Sequence, residues 1–164
     1  MSGDFSFCPG CATPLVTQHL GGLPRRSCPS CDFVHWDNPA PVVAALVERD
    51  GMIVLARNHA WPEKKFGLIT GFLERGETPE QAVAREVGEE LDLDAGSVRL
   101  IGVYPFVAKN EVIIAYHVAA SGEIVLNEEL AEFRLIAPDK LRPWDFGTGL
   151  AVRDWLRSQG LCQD

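Results

Sequence analysis

The 164-residue chain has no run of 18 or more apolar residues, so nothing in it is suited to cross a bilayer as a helix. Its opening residues, MSGDFSFCPG, lack the charged start and apolar stretch of a secretory signal. These two absences make a cytoplasmic location the expectation. Internal repeats and low-complexity segments are missing too. There is no basic excess: 23 acids stand against 15 Lys and Arg, a net charge of −8. That balance argues against broad adhesion to nucleic acid or anionic membrane, although a local basic patch is compatible with it. Outside its first 31 residues the chain has one cysteine, Cys162, which reads as an incidental thiol.

What is present is the composition of a globular protein, 46 % hydrophobic and 23 % charged, in a length that suits one good core plus a small appendage. The appendage comes first. Cys8-Pro-Gly-Cys11 and Cys28-Pro-Ser-Cys31 form two C-x2-C pairs separated by 16 residues, the spacing of a zinc site. Cys8, Cys11, Cys28 and Cys31 would present four thiolates tetrahedrally to a Zn²⁺ with no position left open for chemistry, so the site is structural. Two disulfides are the alternative, and they suit a secreted chain. His19 and His35 could replace a ligand, but four cysteines already fill the shell. So small a module has little core, and zinc should supply most of its folding energy.

Trp36-Asp37-Asn38-Pro39-Ala40-Pro41 reads as a linker, since each proline pushes its predecessor out of helical geometry. It separates a module over 1–37 from a larger domain over 38–164. VVAALVE and MIVLARN flank Asp50-Gly51, a strong hairpin signal. After a polar loop from Trp61 to Lys65, FGLIT reads as a short buried strand ending at Gly71. VRLIGVYPFVA and EVIIAYHVAA pair around Lys109-Asn110, GEIVL and EFRLIA read as later strands, and GLAVRDWLRSQ as a closing helix. Strands mixed with two helices suggest a sheet covered on both faces, in the α+β or α/β class.

Between them lies GETPEQAVAREVGEELDL. Thr78, Pro79 and Gln81 form a capping box with proline at the first helical position, which starts a helix near Pro79. Val83, Val87 and Leu91, with Ala84 beside them, turn one stripe toward a core. Glu86, Glu89 and Glu90 fall together on a neighbouring face. Residues 71–93 hold seven acids against Arg75 and Arg85, a net of −5, so over half the formal charge lies in one segment. Like charges at these spacings cost about 0.2–0.5 kcal/mol per pair, and acids late in a helix oppose its dipole. Either the face is simply solvated, or a cation draws the three acids together.

Gly71, Glu77, Arg85, Glu86, Val87, Glu89, Glu90 and Leu93 match the pattern G-x5-E-x7-R-E-U-x-E-E-x-G-U, with U aliphatic, at every position but one. This resembles the Nudix box. Asp92 stands where the pattern has glycine, and Asp tolerates a left-handed helix end better than most residues. The resemblance implies a Nudix fold, a mixed sheet sandwiched between helices. It also implies Mg²⁺- or Mn²⁺-dependent hydrolysis of a phosphoanhydride, for which hard oxygen ligands are needed. Glu86, Glu89 and Glu90 would bind the metals, one of them able to double as base, and the carbonyl of Thr70 would join them. Glu77 and Arg85 would pair to hold the loop against the helix.

A zinc ribbon leading into this domain resembles the NADH pyrophosphatase branch. The resemblance puts Glu129 where that branch adds a metal carboxylate from outside the box, with Glu132 a weaker candidate and a solvated loop acid the alternative. It also implies a homodimer. After the box that branch carries S-Q-P-W-P-F-P-x-S, whereas this chain reads VYPFVAKNE. Tyr104 and Phe106 could stack a nucleobase or simply form a strand aromatic pair, and NADH, NAD, ADP-ribose, FAD or a dinucleoside polyphosphate would fit the same centre. The competing reading is a catalytically weak nucleotide sensor whose ribbon docks on RNA or protein, Arg25 and Arg26 offering a small basic spot.

Overall fold

The structure, a computed structural model, describes residues 5–161; Cys162 lies outside the described residues. The chain divides into two compact units. One runs to Pro39 and takes in Ala108–Asn110, and the other is formed by Ala40–Val107 and the residues from Glu111 on.

The small unit is a three-stranded antiparallel sheet in the order β1 (Val16–Leu20), β2 (Leu23–Ser27), β3 (Val34–His35). Gly21 and Gly22, both at positive φ, turn β1 into β2. Its core is Cys8, Leu15 and Cys28 with Phe33 packed against them, very little for an independent fold.

The large unit holds a six-stranded sheet. β4 (Ala40–Arg49) runs through its centre, and Val42 to Val47 are buried without interruption because both faces of this strand are covered. One edge of β4 pairs in parallel with β8 (Glu111–Ser121). The other edge is shared: Val42–Ala45 pair with β6 (Ile69–Phe72), and Val47–Arg49 with β5 (Met52–Asn58). β7 (Asp94–Phe106) flanks β8, and β9 (Leu130–Ile136) flanks β5, so the order is β7-β8-β4-β5-β9. The β4–β5 turn has Asp50 at φ 50° and Gly51 at φ 75°, the two left-handed residues that a tight hairpin needs.

Helix α1 (Pro79–Leu91) covers one face of this sheet. Val83, Val87 and Leu91 are fully buried against Val43, Ala45, Val54 and Ile69, each contributing on the order of 1.5–3 kcal/mol. The small residue completing the stripe is Ala82, fully buried, and not Ala84, which is only half-buried. Helix α2 (Gly149–Ser158) covers the other face with Ala151, Val152, Trp155 and Leu156 against Ala44, Leu46, Ile53 and Ile113. The mixed sheet between helices is as the sequence implied.

GEIVL is not a strand. Gly122, at φ 118°, takes the chain out of the sheet. The amides of Val125 and Asn127 then donate to the carbonyls of Leu91 and Glu90, at 3.0 and 3.3 Å. Those carbonyls sit in the last turn of α1, where no intrahelical donor reaches them. The segment is therefore a strap across the end of α1, and it delivers Glu129 beside the acidic face.

Candidate active site

The loop before α1 and the helix start are fixed by their own hydrogen bonds. Thr78 Oγ1 accepts from the Gln81 amide at 3.3 Å, and Gln81 Oε1 accepts from the Thr78 amide at 2.8 Å, closing the capping box. At the far end Asp92 takes φ 56° and ψ 33°, and its amide donates to the Gly88 carbonyl. The helix thus ends in the left-handed geometry that glycine would supply, with an Asp in its place.

Glu77 and Arg85 pair as the sequence implied. Arg85 Nη2 and Nε donate to the two Glu77 oxygens at 2.9 and 3.2 Å, while the Glu74 amide donates to Glu77 Oε1 at 2.6 Å. Arg85 Nη2 also donates to the Phe72 carbonyl at 3.2 Å, so one side chain ties strand end, loop and helix together. The Arg85 hydrogen bond is the chief reason Glu77 is held below the usual carboxylate range. Arg85 does more than this. Its Nη1 donates to Glu86 Oε1 at 2.7 Å and Glu89 Oε2 at 2.9 Å, drawing both acids to itself. The i,i+4 spacing of Arg85 and Glu89 is the sequence signal for the second of these bonds.

Gly71 is next to Thr70 on β6, directly under Glu86. A β-carbon at this position would collide with the Glu86 carboxylate, so glycine here clears the space the acid fills. Burial raises the Glu86 pKa despite Arg85. Glu90 is pushed further, to about 8, first by burial and then by the charges of Glu86, Glu129 and Glu89. Of the sequence-derived ligands, Glu129 is thereby near enough to Glu90 to oppose its ionisation. Glu132 is turned elsewhere: it receives Arg57 Nη2 at 3.3 Å and Arg134 Nη2 at 3.4 Å.

As they stand, the box acids do not close on a single point. Among the described residues the group whose ligand atoms all lie within 4.8 Å of one another is the four cysteines. Glu86 and Glu89 would have to turn from Arg85 Nη1 to share a cation with Glu90. The chemistry of the set nonetheless fits a hard divalent ion: oxygen donors only, a Glu86 carboxylate given its room by Gly71, and a Glu90 carboxyl whose proton affinity is raised by burial and by the charges around it, which a cation would relieve.

Tyr104 does not offer a stacking face. It is 9 % exposed, packs in the core beneath α2, and its hydroxyl donates to Asp154 Oδ2 at 2.8 Å. Phe106 is half-buried, with its ring 6.4 Å from that of Phe146.

In the small unit, Cys8 and Cys31 sulfurs are 3.6 Å apart, Cys11 and Cys28 3.5 Å, and Cys11 and Cys31 3.8 Å. A tetrahedron of 2.3 Å zinc–sulfur bonds has edges of about 3.8 Å. Backbone amides of Gly10 and Ser30 donate to Cys8 and Cys28 sulfurs at 3.4 and 3.3 Å, which steadies the two turns. Hydrogen bonding to Thr13 lowers the Cys11 thiol to about 6. The backbone hydrogen bond at Phe33 acts on Cys31 in the same sense, but Cys28 and Cys8 override it and raise that thiol to about 12. Thiols this close ionise together only around a cation, and the four cysteines fit zinc. His35 stacks on Phe5, with ring centroids 4.7 Å apart, and is not part of the cluster.

Fold and box together define a class, and residues 38–155 match the model of the NUDIX domain. The chain belongs to the Nudix family. A NAD-capped RNA hydrolase NudC from Stutzerimonas stutzeri is 31 % identical over 137 residues, covering 82 % of this chain and 49 % of that protein. One from Mycobacterium bovis is 36 % identical over 120 residues, covering 70 % and 36 %. The chain thus spans a third to a half of the length of these relatives. The crystal structure of a NUDIX hydrolase from Nitrosomonas europaea superposes with a TM-score of 0.77 at 26 % identity, covering 94 % of this chain and 93 % of the other.

Proposed function

We propose that this chain hydrolyses the pyrophosphate bond of a nucleoside diphosphate linked to another moiety, releasing a nucleoside monophosphate and a phosphorylated partner. The observation that carries this reading is Glu90, crowded by Glu86, Glu89 and Glu129 beside the space cleared by Gly71. Glu86, Glu89, Glu90 and Glu129, with the Thr70 carbonyl, would hold Mg²⁺ or Mn²⁺. Bound there, the metal supplies charge neutralisation on the phosphate oxygens and an acidified, positioned water. Hydrolysis would join a water oxygen to phosphorus and break the bridging P–O bond, the departing phosphate keeping the bridging oxygen. A carboxylate of the cluster takes the water's proton. Glu77 and Arg85 position the loop, and Glu86 and Glu89 would have to leave Arg85 Nη1 to serve as ligands.

Residues 1–37 act as a zinc ribbon with a structural Zn²⁺ on Cys8, Cys11, Cys28 and Cys31, and 38–164 as the hydrolase domain. A cytoplasmic homodimer completes the proposal, and sedimentation of the purified chain tests its dimeric state. Among substrates, the NAD-capped RNA hydrolases to which the chain is similar put an NAD-containing molecule first. The experiment is a product-resolved assay of NADH, NAD, NAD-capped RNA, ADP-ribose, FAD and diadenosine polyphosphates with Mg²⁺ and with Mn²⁺. Release of a nucleoside monophosphate from at least one supports the reading. Tight binding without hydrolysis of any would replace it with the sensor.

A further inference from the structure

The stretch VYPFVAKNE, in the place of the branch's motif after the box, offered Tyr104 as a base-stacking residue, and its burial leaves that role open. The loop between β5 and β6 offers another set of rings. The six-membered ring of Trp61 packs against the chain at Gly67, where a β-carbon would come within 3.2 and 3.3 Å of two of its ring atoms. The loop that carries it is ordered by its own bonds: the Trp61 amide donates to the Asn58 carbonyl, and the Lys65 amide to that of Pro62, both at 2.9 Å. Phe146, just ahead of α2, is 53 % exposed, and its ring neighbours that of Phe106. The Lys65 ammonium lies 5.2 Å from the Trp61 ring centroid and 5.9 Å from that of Phe146. A cation facing two aromatic rings marks a place where π faces converge on water-accessible space.

The place also has the right reach. Four residues separate Gly67, beside Trp61, from Gly71, under Glu86, the last of them in β6, a span of at most roughly 13 Å at about 3.3 Å per residue. That is the order of separation a nucleoside puts between its base and the phosphates beyond its ribose. A positive charge beside the rings complements those phosphates, in a protein whose net charge otherwise repels them.

We infer that Trp61 and Phe146 form the base-stacking slot of the substrate site, with Lys65 as its anion contact. The base takes the position over the rings that the ammonium now holds, and Lys65 swings to the phosphates. Every nucleobase has a π face, so the slot selects for a base over a bare sugar phosphate and discriminates weakly among bases.

The inference rests on the nucleotide-hydrolase reading, and the test separates the two. The whole chain is titrated calorimetrically with AMP and with ribose 5-phosphate. Trp61→Ala and Phe146→Ala should each weaken AMP binding roughly five- to hundred-fold while changing ribose 5-phosphate binding less than about twofold. Trp61→Phe, which keeps a ring, should restore most of the AMP affinity. Lys65→Ala should weaken both ligands and flatten the salt dependence of binding. In turnover, the ring variants should raise KM with little change in kcat, the mark of lost uniform binding. Melting curves check that the variants fold. Unchanged AMP affinity in both ring variants, equal loss for ribose 5-phosphate, or no AMP binding by the parent chain overturns the slot. Overturning with hydrolysis intact removes the slot alone; the expected discrimination without hydrolysis of any substrate keeps the slot and removes the proposed reaction.

Discussion

Glu90→Gln should stabilise the metal-free protein at alkaline pH while removing its activity. An unfolded glutamate loses its proton near 4.5, and Glu90 in the folded chain holds it to about 8. Between those values the native state binds more protons than the unfolded state, so stability falls as pH rises through that window. At about 1.4 kcal/mol per tenfold change in proton affinity, the ceiling is about 5 kcal/mol. Side-chain relaxation and water reaching a half-buried carboxyl reduce this to on the order of 1–3 kcal/mol. Glu86, also raised by burial, adds a smaller slope of the same sign. Glu77 and Glu80 are lowered, so their contributions are lost only as pH falls below the ordinary carboxylate range. Urea unfolding of magnesium-free protein at pH 5.5 and 8.0 measures the effect. The parent should lose stability between the two and the variant should lose much less, ending the more stable of the pair at pH 8. Equal slopes, or a variant less stable at pH 8, would refute the electrostatic account of this cluster.

Gly71→Ala should abolish turnover, because the new methyl group takes the space of the Glu86 carboxylate, at a folding cost of about 1–3 kcal/mol readable by denaturant titration. Asp92→Gly should relieve the left-handed strain and stabilise the chain by up to about 1 kcal/mol, a few degrees in Tm by calorimetry. Elemental analysis should find one zinc per chain that survives dialysis, and Cys8→Ser should lose both the zinc and the amide-exchange protection of β1 and β2. Metal binding near pH 7 should release close to one proton, as Glu90 gives up the one it holds; calorimetric heats that do not vary with buffer ionisation enthalpy would contradict this.

α1 was legible because its signals are local: a four-residue capping box, a stripe every four, and acids at fixed offsets. The Glu77–Arg85 pair was legible through the box. Other features depend on partners far along the chain. Val125 alternates like a strand residue, yet its amide is taken by the end of α1, which no local pattern can announce. Tyr104 was offered by its place after the box, which says nothing of burial, and β7 carries register shifts between Ala95 and Ser97 and between Leu100 and Gly102. Each such extra residue flips the faces beyond it, so simple alternation along VRLIGVYPFVA does not say which rings α2 covers. Trp61 sits in a polar loop whose importance comes only from Phe146, 85 residues later in the chain.

The central claim is that the box acids form one divalent-metal site that performs hydrolysis. Its most direct test is to measure Mn²⁺ binding and nucleotide turnover together in the parent and in Glu86→Gln. The account predicts that both fall by orders of magnitude while the variant keeps its zinc and its fold; full turnover by the variant, or turnover lost with Mn²⁺ affinity unchanged, would contradict it.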